Sequence, residues 1–295
     1  MFLDLFQKNP RVFTLAGKPG GKTLLVTAGM DGDEYAGMEA ARRLVQEFYS
    51  GGFSGRLVVI PIMNRAGFWA ECSHNPEDDK FPKFMFPGRA NGTPTERLIH
   101  WLVDGPLKQA DVWYDMHGAA LTEGLRPFVW LHRTGERDVD VLAQQFIRHV
   151  RAEVVMFEET VWPCKAKTLA RQGKMYVVAE SGSRTSNGED DVARHLDWAH
   201  TMMGTLGMIE APSAEKTEKV VLRSCVMYHA PCDGRWLPRQ GVTHVSRGSI
   251  LGHHSPLDGS RTSPVCALSD GVPLWWKETP AMRKGDILFA IGKSA

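Results

Sequence analysis

Several features that would assign the chain to a familiar class of protein are missing. No apolar run is long enough to cross a bilayer, so we expect no membrane association. The 35 Lys and Arg residues are scattered among 34 Asp and Glu residues, and without a basic stripe we expect no nucleic-acid partner. The few cysteines form no C-x-x-C pair, which excludes a cysteine-rich zinc knuckle and favours reduced thiols in the cytoplasm. They are Cys72, Cys164, Cys225, Cys232 and Cys266.

Common targeting and catalytic motifs are missing as well. The N-terminal stretch MFLDLFQKNPRVF has charges inside its apolar part and no small-residue cleavage site, so we expect no signal peptide. Neither G-x-S-x-G nor H-E-x-x-H occurs. Residues 17–23, GKPGGKT, resemble a phosphate-binding loop, but the spacer is one residue short and the segment precedes a strand instead of following one. We interpret it as a turn. A nucleotide-binding protein is therefore a weak alternative, because this imperfect motif is its only support.

The first two thirds of the chain alternate strand and helix signals. Amphipathic segments at 34–48, 136–150 and 189–209 predict helices, and another begins at Thr93, whose hydroxyl and Glu96 form a capping-box pattern. This alternation predicts an α/β domain over residues 1–210, with a mostly parallel mixed sheet flanked by helices. The continuous apolar runs that predict its buried strands are Thr23–Ala28, Leu57–Met63, Asp111–Met116, Pro127–Leu131, Glu153–Phe157 and Met175–Ala179.

The composition changes near residue 210. A polar, linker-like stretch follows, and the helical period then disappears. Short apolar runs separated by Gly-containing turns predict a smaller all-β domain over residues 219–295. Within it, seven positions of the segment 230–251 recur at a constant offset of 37 residues in the segment 267–288. Turn chemistry repeats in any β domain, but the constant offset favours two half-barrels related by pseudo-twofold symmetry.

Three side chains of metal-ligand type follow the ends of predicted strands. Asp31 and Glu34 come after the first buried strand, and His117 ends the third. Carboxyl ends of strands are where open α/β sheets place their sites, and zinc hydrolases use three protein ligands with one open position. Simpler interpretations remain, because acids at a helix start complement its dipole and a single buried His is often only hydrogen-bonded.

The order of the motifs resembles the succinylglutamate desuccinylase/aspartoacylase family, which is related to the zinc carboxypeptidases. The family pattern A-G-x-H-G-x-E-x-x-G is similar to AGMDGDEYAG at 28–37, and its D-L-H-G is similar to DMHG at 115–118. Its strand ending in E-x-G resembles VVAESG at 177–182, and FPG at 86–88 and APCDG at 230–234 resemble further family motifs in order. Each motif is short, but the collinear set is specific and spans nearly the whole chain.

The resemblance implies a zinc carboxypeptidase-like fold and a hydrolase that cleaves an N-acyl amide bond of a small molecule. Glu34 and His117 occupy two zinc-ligand positions, and Glu180 occupies the position of the general acid/base. In this mechanism a metal-bound water is deprotonated by Glu180 and attacks the amide carbonyl. The resemblance therefore implies one Zn²⁺ ion and a small-molecule amide substrate. The sequence does not reveal the oligomeric state, so a homo-oligomer stays open.

Asp31 stands where the family has its first ligand histidine. A carboxylate oxygen can ligate zinc, but two carboxylates and one neutral imidazole leave a dication with no net charge. We therefore expect weaker zinc retention or a more alkaline pH optimum, gain of zinc in Asp31→His, and competition from harder ions such as Mn²⁺.

The substrate-binding motif also differs. Where the family has Asn and Arg before F-P-G, this chain has Lys83 and Phe84. We predict Arg65, Lys83 and Arg126 as substrate-binding residues, with Arg89 and Arg184 as substitutes. These departures leave one alternative open, namely a catalytically degraded relative that binds a small molecule or serves as an accessory protein.

Overall fold

A mixed eight-stranded sheet forms the centre of the protein. The computed structural model describes residues 9–159, 164–182, 188–211, 218–239 and 241–294. The strands of this sheet are β1 (Phe13–Ala16), β2 (Lys18–Ala28), β3 (Ser54–Ile60), β4 (Val112–His117), β6 (Phe128–Arg133), β7 (Val154–Glu159), β8 (Met175–Glu180) and β9 (Val220–Leu222). Their order is β1-β3-β2-β4-β8-β6-β7-β9, and only the β1–β3 and β6–β8 pairs are antiparallel. The predicted mostly parallel sheet is confirmed.

Helices cover this sheet, and the predicted ones are present. They are α1 (Tyr35–Phe48), α2 (Arg65–Ala70), α3 (Pro94–Asp104), α4 (Arg137–His149), α5 (Lys165–Ala170) and α6 (Glu189–Thr205), with 3₁₀ turns at Pro82–Phe84 and Pro106–Gln109. The start of α3 follows from its sequence, because the backbone N–H of Thr93 donates to Glu96 Oε2 at 2.8 Å. None of the described helices is long and apolar enough to span a bilayer.

Alternation along the central strands decides which side chains reach the site. Val26, Tyr114 and Val177 point to the face packed by α1, α4 and α6. Trp113 and Tyr176 point to the opposite face, where they pack with α3 and α5. Asp115 and His117 follow Trp113 at two-residue steps on β4, so they share this second face.

Two antiparallel sheets follow the α/β part. Their remaining strands are β5 (Glu123–Leu125), β10 (Ser224–His229), β11 (Gly234–Pro238), β12 (Ile250–Ser255), β13 (Ser263–Cys266), β14 (Val272–Lys277), β15 (Ala281–Met282) and β16 (Ile287–Lys293). One sheet has the order β10-β16-β14-β5 and the other β13-β12-β11-β15. Strands about 37 residues apart occupy equivalent positions in the two sheets. β13 corresponds to β10 and β16 corresponds to β12, and the pairing of β10 with β16 is equivalent to the pairing of β13 with β12.

The two predicted domains exchange strands. β5 belongs to the first part of the chain but pairs with β14, whereas β9 lies beyond residue 219 but completes the large sheet. The division into 1–210 and 219–295 stays a prediction, and residues 212–217 of the linker lie outside the described residues. So does the start of the chain, on which the absence of a signal peptide was predicted.

Residues 17–23 reverse the direction of the chain, as a turn does, because Ala16 pairs antiparallel and Thr23 pairs parallel with the same residue, Arg56. Most of this segment belongs to β2, where Lys18 pairs with Ser54 and Thr23 pairs with Arg56 across a register shift. The glycines of this segment allow its backbone to approach the neighbouring strand β3 closely. A Cβ at Gly21 would lie only 2.5 Å from the backbone N of Gly55. The predicted turn is therefore part of the start of β2.

Candidate metal centre

Asp31, Glu34 and His117 converge at the carboxyl ends of β2 and β4. Each offers a ligand atom, and these atoms all lie within 4.8 Å of one another. The three residues are buried. Across the described ranges, they form the one group of three His, Cys, Asp or Glu residues whose ligand atoms come this close. The sequence predicted this convergence because adjacent parallel strands end at the same edge of a sheet.

Carboxylates on both sides of the His117 imidazole fix its orientation. Its Nδ1 lies 2.9 Å from Glu34 Oε2, inside the group, and its Nε2 lies 3.3 Å from Asp115 Oδ2 on the outer side. Asp115 in turn accepts hydrogen bonds from Thr27 Oγ1 at 2.5 Å and from the Tyr176 hydroxyl at 3.0 Å. A carboxylate behind one ring nitrogen, with the other nitrogen turned inward, is the usual environment of a metal-binding histidine.

The carboxylate of Asp31 has one unpartnered oxygen. Its Oδ2 forms an ion pair with the Lys83 ammonium, whereas its Oδ1 is buried and has no hydrogen-bond partner among the described residues. A buried carboxylate oxygen without a partner is costly unless a cation or a water binds it. Together with the inward nitrogen of His117 and the carboxylate of Glu34, this oxygen completes a donor set that fits a divalent cation.

Burial and neighbouring charges together shift the pKa values of the group. Burial and the negative charge of Asp31 raise the pKa of Glu34 well above its ordinary value. Burial alone would lower the pKa of His117, but the carboxylates of Glu34 and Asp115 outweigh it and raise this pKa. Both shifts favour a proton bound within the group, and a dication would take the place of that proton.

Lys83 lies beside the group instead of reaching away from it. It belongs to the 3₁₀ turn Pro82–Phe84, and its ammonium lies 5.8 Å from the Phe81 ring centroid and 5.5 Å from that of Phe84. Burial would lower its pKa, but the carboxylates of Asp31 and Glu34 raise it. The ammonium is therefore a fixed positive charge at the group, already engaged by Asp31.

Glu180 ends β8 directly beside His117, its register partner on β4. Burial, with a contribution from the charge of Asp31, raises the pKa of Glu180 to about 7. A carboxyl group with this pKa can both accept and donate a proton near neutral pH. The strand end that carries Glu180 thus lies next to the strand end that carries a ligand-type histidine.

Two further charged groups near the site were missed from the sequence. Glu123, on β5, has its pKa raised by burial, and the charge of Lys83 opposes this shift. Lys165, at the start of α5, lies 4.7 Å from the Trp113 ring centroid and 4.2 Å from that of Tyr176. Burial lowers the pKa of Lys165 to about 8. Neither residue lies in a motif, so no local signal could have found them.

Among the predicted substrate-binding residues and their substitutes, Arg126 and Arg89 make contacts outside this group. Arg126 donates to the carbonyl oxygen of Thr243 at 3.0 Å and lines a cavity of about 420 Å³ whose lining contains none of Asp31, Glu34 and His117. Arg65 is the first residue of α2. Arg89 pairs with Glu96 at 2.6 Å, and Arg184 lies outside the described residues. The roles of Arg65 and Arg126 in substrate binding stay predictions.

With the geometry established, similarity to known proteins gives the family. Residues 20–206 match the family model of the succinylglutamate desuccinylase/aspartoacylase catalytic domain. The chain belongs to this family. The resemblance found in the short motifs is thereby confirmed over most of the α/β part.

Individual relatives agree with this assignment. The chain is 26% identical, over 182 residues, to the N-alpha-acetyl-L-2,4-diaminobutyric acid deacetylase of Halomonas elongata, a match that covers 61% of this chain and 53% of that enzyme. A succinylglutamate desuccinylase from Silicibacter sp. TM1040 superposes with a TM-score of 0.82 at 21% identity, covering 95% of this chain and 87% of that one. The product-bound ectoine utilization protein EutE (DoeB) of Ruegeria pomeroyi gives 0.82 at 23% identity, with 96% and 88% covered. These structures show that the fold is shared.

Proposed function

We propose that the protein is a metal-dependent hydrolase that cleaves an N-acyl amide bond of a small molecule. The observation that carries this proposal is the buried group of Asp31, Glu34 and His117, in which one oxygen of Asp31 has no partner among the described residues. Membership of a family that contains deacylating enzymes supports the reaction type. Zn²⁺ suits the nitrogen-containing donor set, and Mn²⁺ is an alternative because two of the three ligands are carboxylates.

Glu180 is the proposed general acid and base. When bound, the metal ion would polarise the amide carbonyl and acidify a water molecule. Glu180, with a pKa of about 7, accepts the proton of that water and then donates it to the nitrogen of the leaving amine. Asp115, Thr27 and Tyr176 hold the His117 ring in one orientation throughout.

The substrate we propose does not depend on a free carboxylate next to Lys83. The ammonium of Lys83 is already paired with Asp31 and has the rings of Phe81 and Phe84 beside it. Comparing N-acetyl amino acids with their carboxamides tests this feature. Similar kcat/KM values are expected, and a preference of more than about a hundredfold for the free acids, a carboxylate contact of about 3 kcal/mol, would contradict it.

Metal analysis of the purified protein tests the proposal as a whole. We expect near-stoichiometric binding of Zn²⁺ or Mn²⁺ by the native chain, lost in Glu34→Ala and in His117→Ala. Glu189→Ala, which removes an exposed acid from the first turn of α6, and His149→Ala, which removes a half-buried histidine at the end of α4, are matched controls that keep the metal. Absence of metal binding in the native chain would exclude this mechanism.

A second candidate is a catalytically degraded relative that binds a small molecule. The observation in its favour is the Lys83 ammonium, which already supplies a cation to Asp31. Metal binding together with amide hydrolysis that is lost in Glu180→Gln supports the enzyme. A folded protein without metal or turnover, in which N-acyl amino acids still raise the melting temperature, supports the second candidate.

A further inference from the structure

The two positions at which the chain departs from the family pattern meet in the structure. Asp31 stands at a ligand position, and Lys83 stands in the substrate-binding motif 52 residues later, yet their side chains form an ion pair. The carboxylate of Asp31 is fully buried. The charges that act on the Lys83 ammonium come from Asp31, Glu34 and Glu123. Lys83 thus places a positive charge in direct contact with one of the proposed metal ligands.

The two oxygens of Asp31 have different environments. Oδ2 pairs with Lys83, whereas Oδ1 has no partner within the described part of the chain. One carboxylate can therefore be bound by two cations at once, one on each oxygen. Because like charges on a shared carboxylate repel, each cation weakens the binding of the other.

We propose that Lys83 is a built-in cation that shares Asp31 with the metal and lowers the affinity of the centre for it. The inference rests on the proposed function, in which Asp31, Glu34 and His117 bind a divalent ion. The ammonium also changes the charge of the loaded centre. A dication with two carboxylates and a neutral imidazole has no net charge, and Lys83 restores one positive charge to it. The centre would therefore bind its metal more weakly, while its net charge would equal that of a centre with two histidines and one glutamate.

The test is a measurement of metal affinity. The dissociation constants of Zn²⁺ and Mn²⁺ are measured by competition with a chromogenic chelator for the native chain, Lys83→Met and Lys83→Arg. Lys80→Met is the matched control, because the side chain of Lys80 has the same 32% exposure and pairs with Glu96 instead. Circular dichroism shows whether each variant is folded, and Lys83→Gln replaces Lys83→Met should the latter not fold.

We expect Lys83→Met to bind both ions at least about tenfold more tightly than the native chain, since it removes a charge that acts within one carboxylate of the metal. Lys83→Arg and Lys80→Met should stay within about twofold of the native value. An unchanged or weaker affinity in Lys83→Met overturns the inference.

His117→Ala separates this inference from the proposed function. If the native chain binds metal, His117→Ala does not, and Lys83→Met is unchanged, then the proposed function survives and the inference about Lys83 fails. If neither the native chain nor Lys83→Met binds metal, both fail. Metal binding that appears only in Lys83→Met would show that Lys83 weakens metal binding, but it would exclude the proposed metal-dependent mechanism for the native chain.

Discussion

At the scale of single residues, Glu180 has the environment that a general base requires. Its pKa of about 7 results mainly from burial, and a dication bound nearby would lower this pKa. The carboxyl group must be ionised to accept a proton. We therefore expect kcat/KM to fall as the pH drops below this value.

The variant Glu180→Gln should lose at least about a hundredfold in kcat while keeping its metal, because the amide preserves shape but cannot take up a proton. Turnover assays from pH 5 to 9 and metal analysis of the same samples check both statements. A Glu180→Gln protein that keeps its activity, or an acidic limb centred well above pH 7, would contradict the assigned role.

Asp31 and Lys83 should behave as one unit in mutation. Asp31→His alone introduces the ligand expected from the family pattern, but it leaves the Lys83 ammonium facing the metal without its carboxylate. We expect a larger gain in Zn²⁺ affinity, by about tenfold or more, in Asp31→His combined with Lys83→Asn than in Asp31→His alone. Chelator competition measures the Zn²⁺ affinity of the native chain, the single variant and the double variant. Equal affinities of the two variants would contradict this expectation.

The sequence could predict the metal-type group but not the charges around it. Asp31 and His117 each follow a buried strand, and strand ends of a parallel sheet meet regardless of details elsewhere. Lys83 reaches Asp31 through an irregular segment whose path no periodicity encodes. Lys165 is brought in by a six-residue helix outside every motif, and its place over Trp113 depends on tertiary packing alone.

At the scale of secondary-structure elements, β4 is the strand that prepares the site. It places Asp115 and His117 on one face, and β2 and β8 supply Thr27 and Tyr176, which fix Asp115 from either side. Asp115→Asn keeps the size of the side chain but removes the charge behind the His117 ring. The expected result is a 10- to 100-fold loss of Zn²⁺ affinity, measured by chelator competition. Asp111→Asn, at the residue just before the other end of β4 and paired with Lys22, is the control that should not change this affinity.

Helix α6 contributes a titratable group to the stability of the fold. His195 is fully buried, and its Nε2 lies 2.8 Å from the carbonyl oxygen of Ser181, the residue after Glu180. Burial lowers the pKa of His195 to about 4. The folded protein therefore binds fewer protons here than the unfolded chain, whose histidine titrates near 6.5. The contribution to stability is complete above pH 6.5 and is lost as the pH falls toward 4.

Replacing His195 should flatten this pH dependence. His195→Gln keeps a donor toward Ser181 but does not titrate, so the difference in unfolding free energy between it and the native chain should shrink by about 3 kcal/mol between pH 7 and pH 4. Urea unfolding at several pH values measures this difference. His149→Gln, at the half-buried last residue of α4, is the control for removing a histidine elsewhere. A curve of His195→Gln that runs parallel to the native one would show that His195 is not the group concerned.

At the scale of the whole molecule, the sequence predicted the layers better than their connection. Alternating apolar runs indicated the central sheet, and the offset of 37 residues indicated related halves in the β part. Neither pattern reveals that β5 pairs with β14 or that β9 joins the large sheet, because both are three-residue strands. Tertiary packing decides which sheet such a short strand joins. A three-residue strand is too short to show a hydrophobic period in the sequence.

The exchanged strands imply that the chain unfolds as one unit. A buried cluster joins Phe128, Val154 and Met156 of the large sheet to Leu222 and Leu274 from beyond the predicted boundary. Leu274→Ala should therefore lower the unfolding free energy by about 2 to 5 kcal/mol in a single transition. Far-UV circular dichroism reports the helices, which in the described ranges lie within residues 35–205, and tryptophan fluorescence reports both parts.

A second leucine makes the test of one unfolding unit decisive. Leu251 is equally buried, but in a cluster formed by described residues beyond 219. If the molecule is one cooperative unit, Leu251→Ala shifts the urea midpoint of the helical signal as much as that of the fluorescence. Two domains that fold independently would instead leave the helical midpoint unchanged in Leu251→Ala, because no described helix contributes to that cluster. Unequal midpoints would therefore favour two domains that fold independently, despite the strands they exchange.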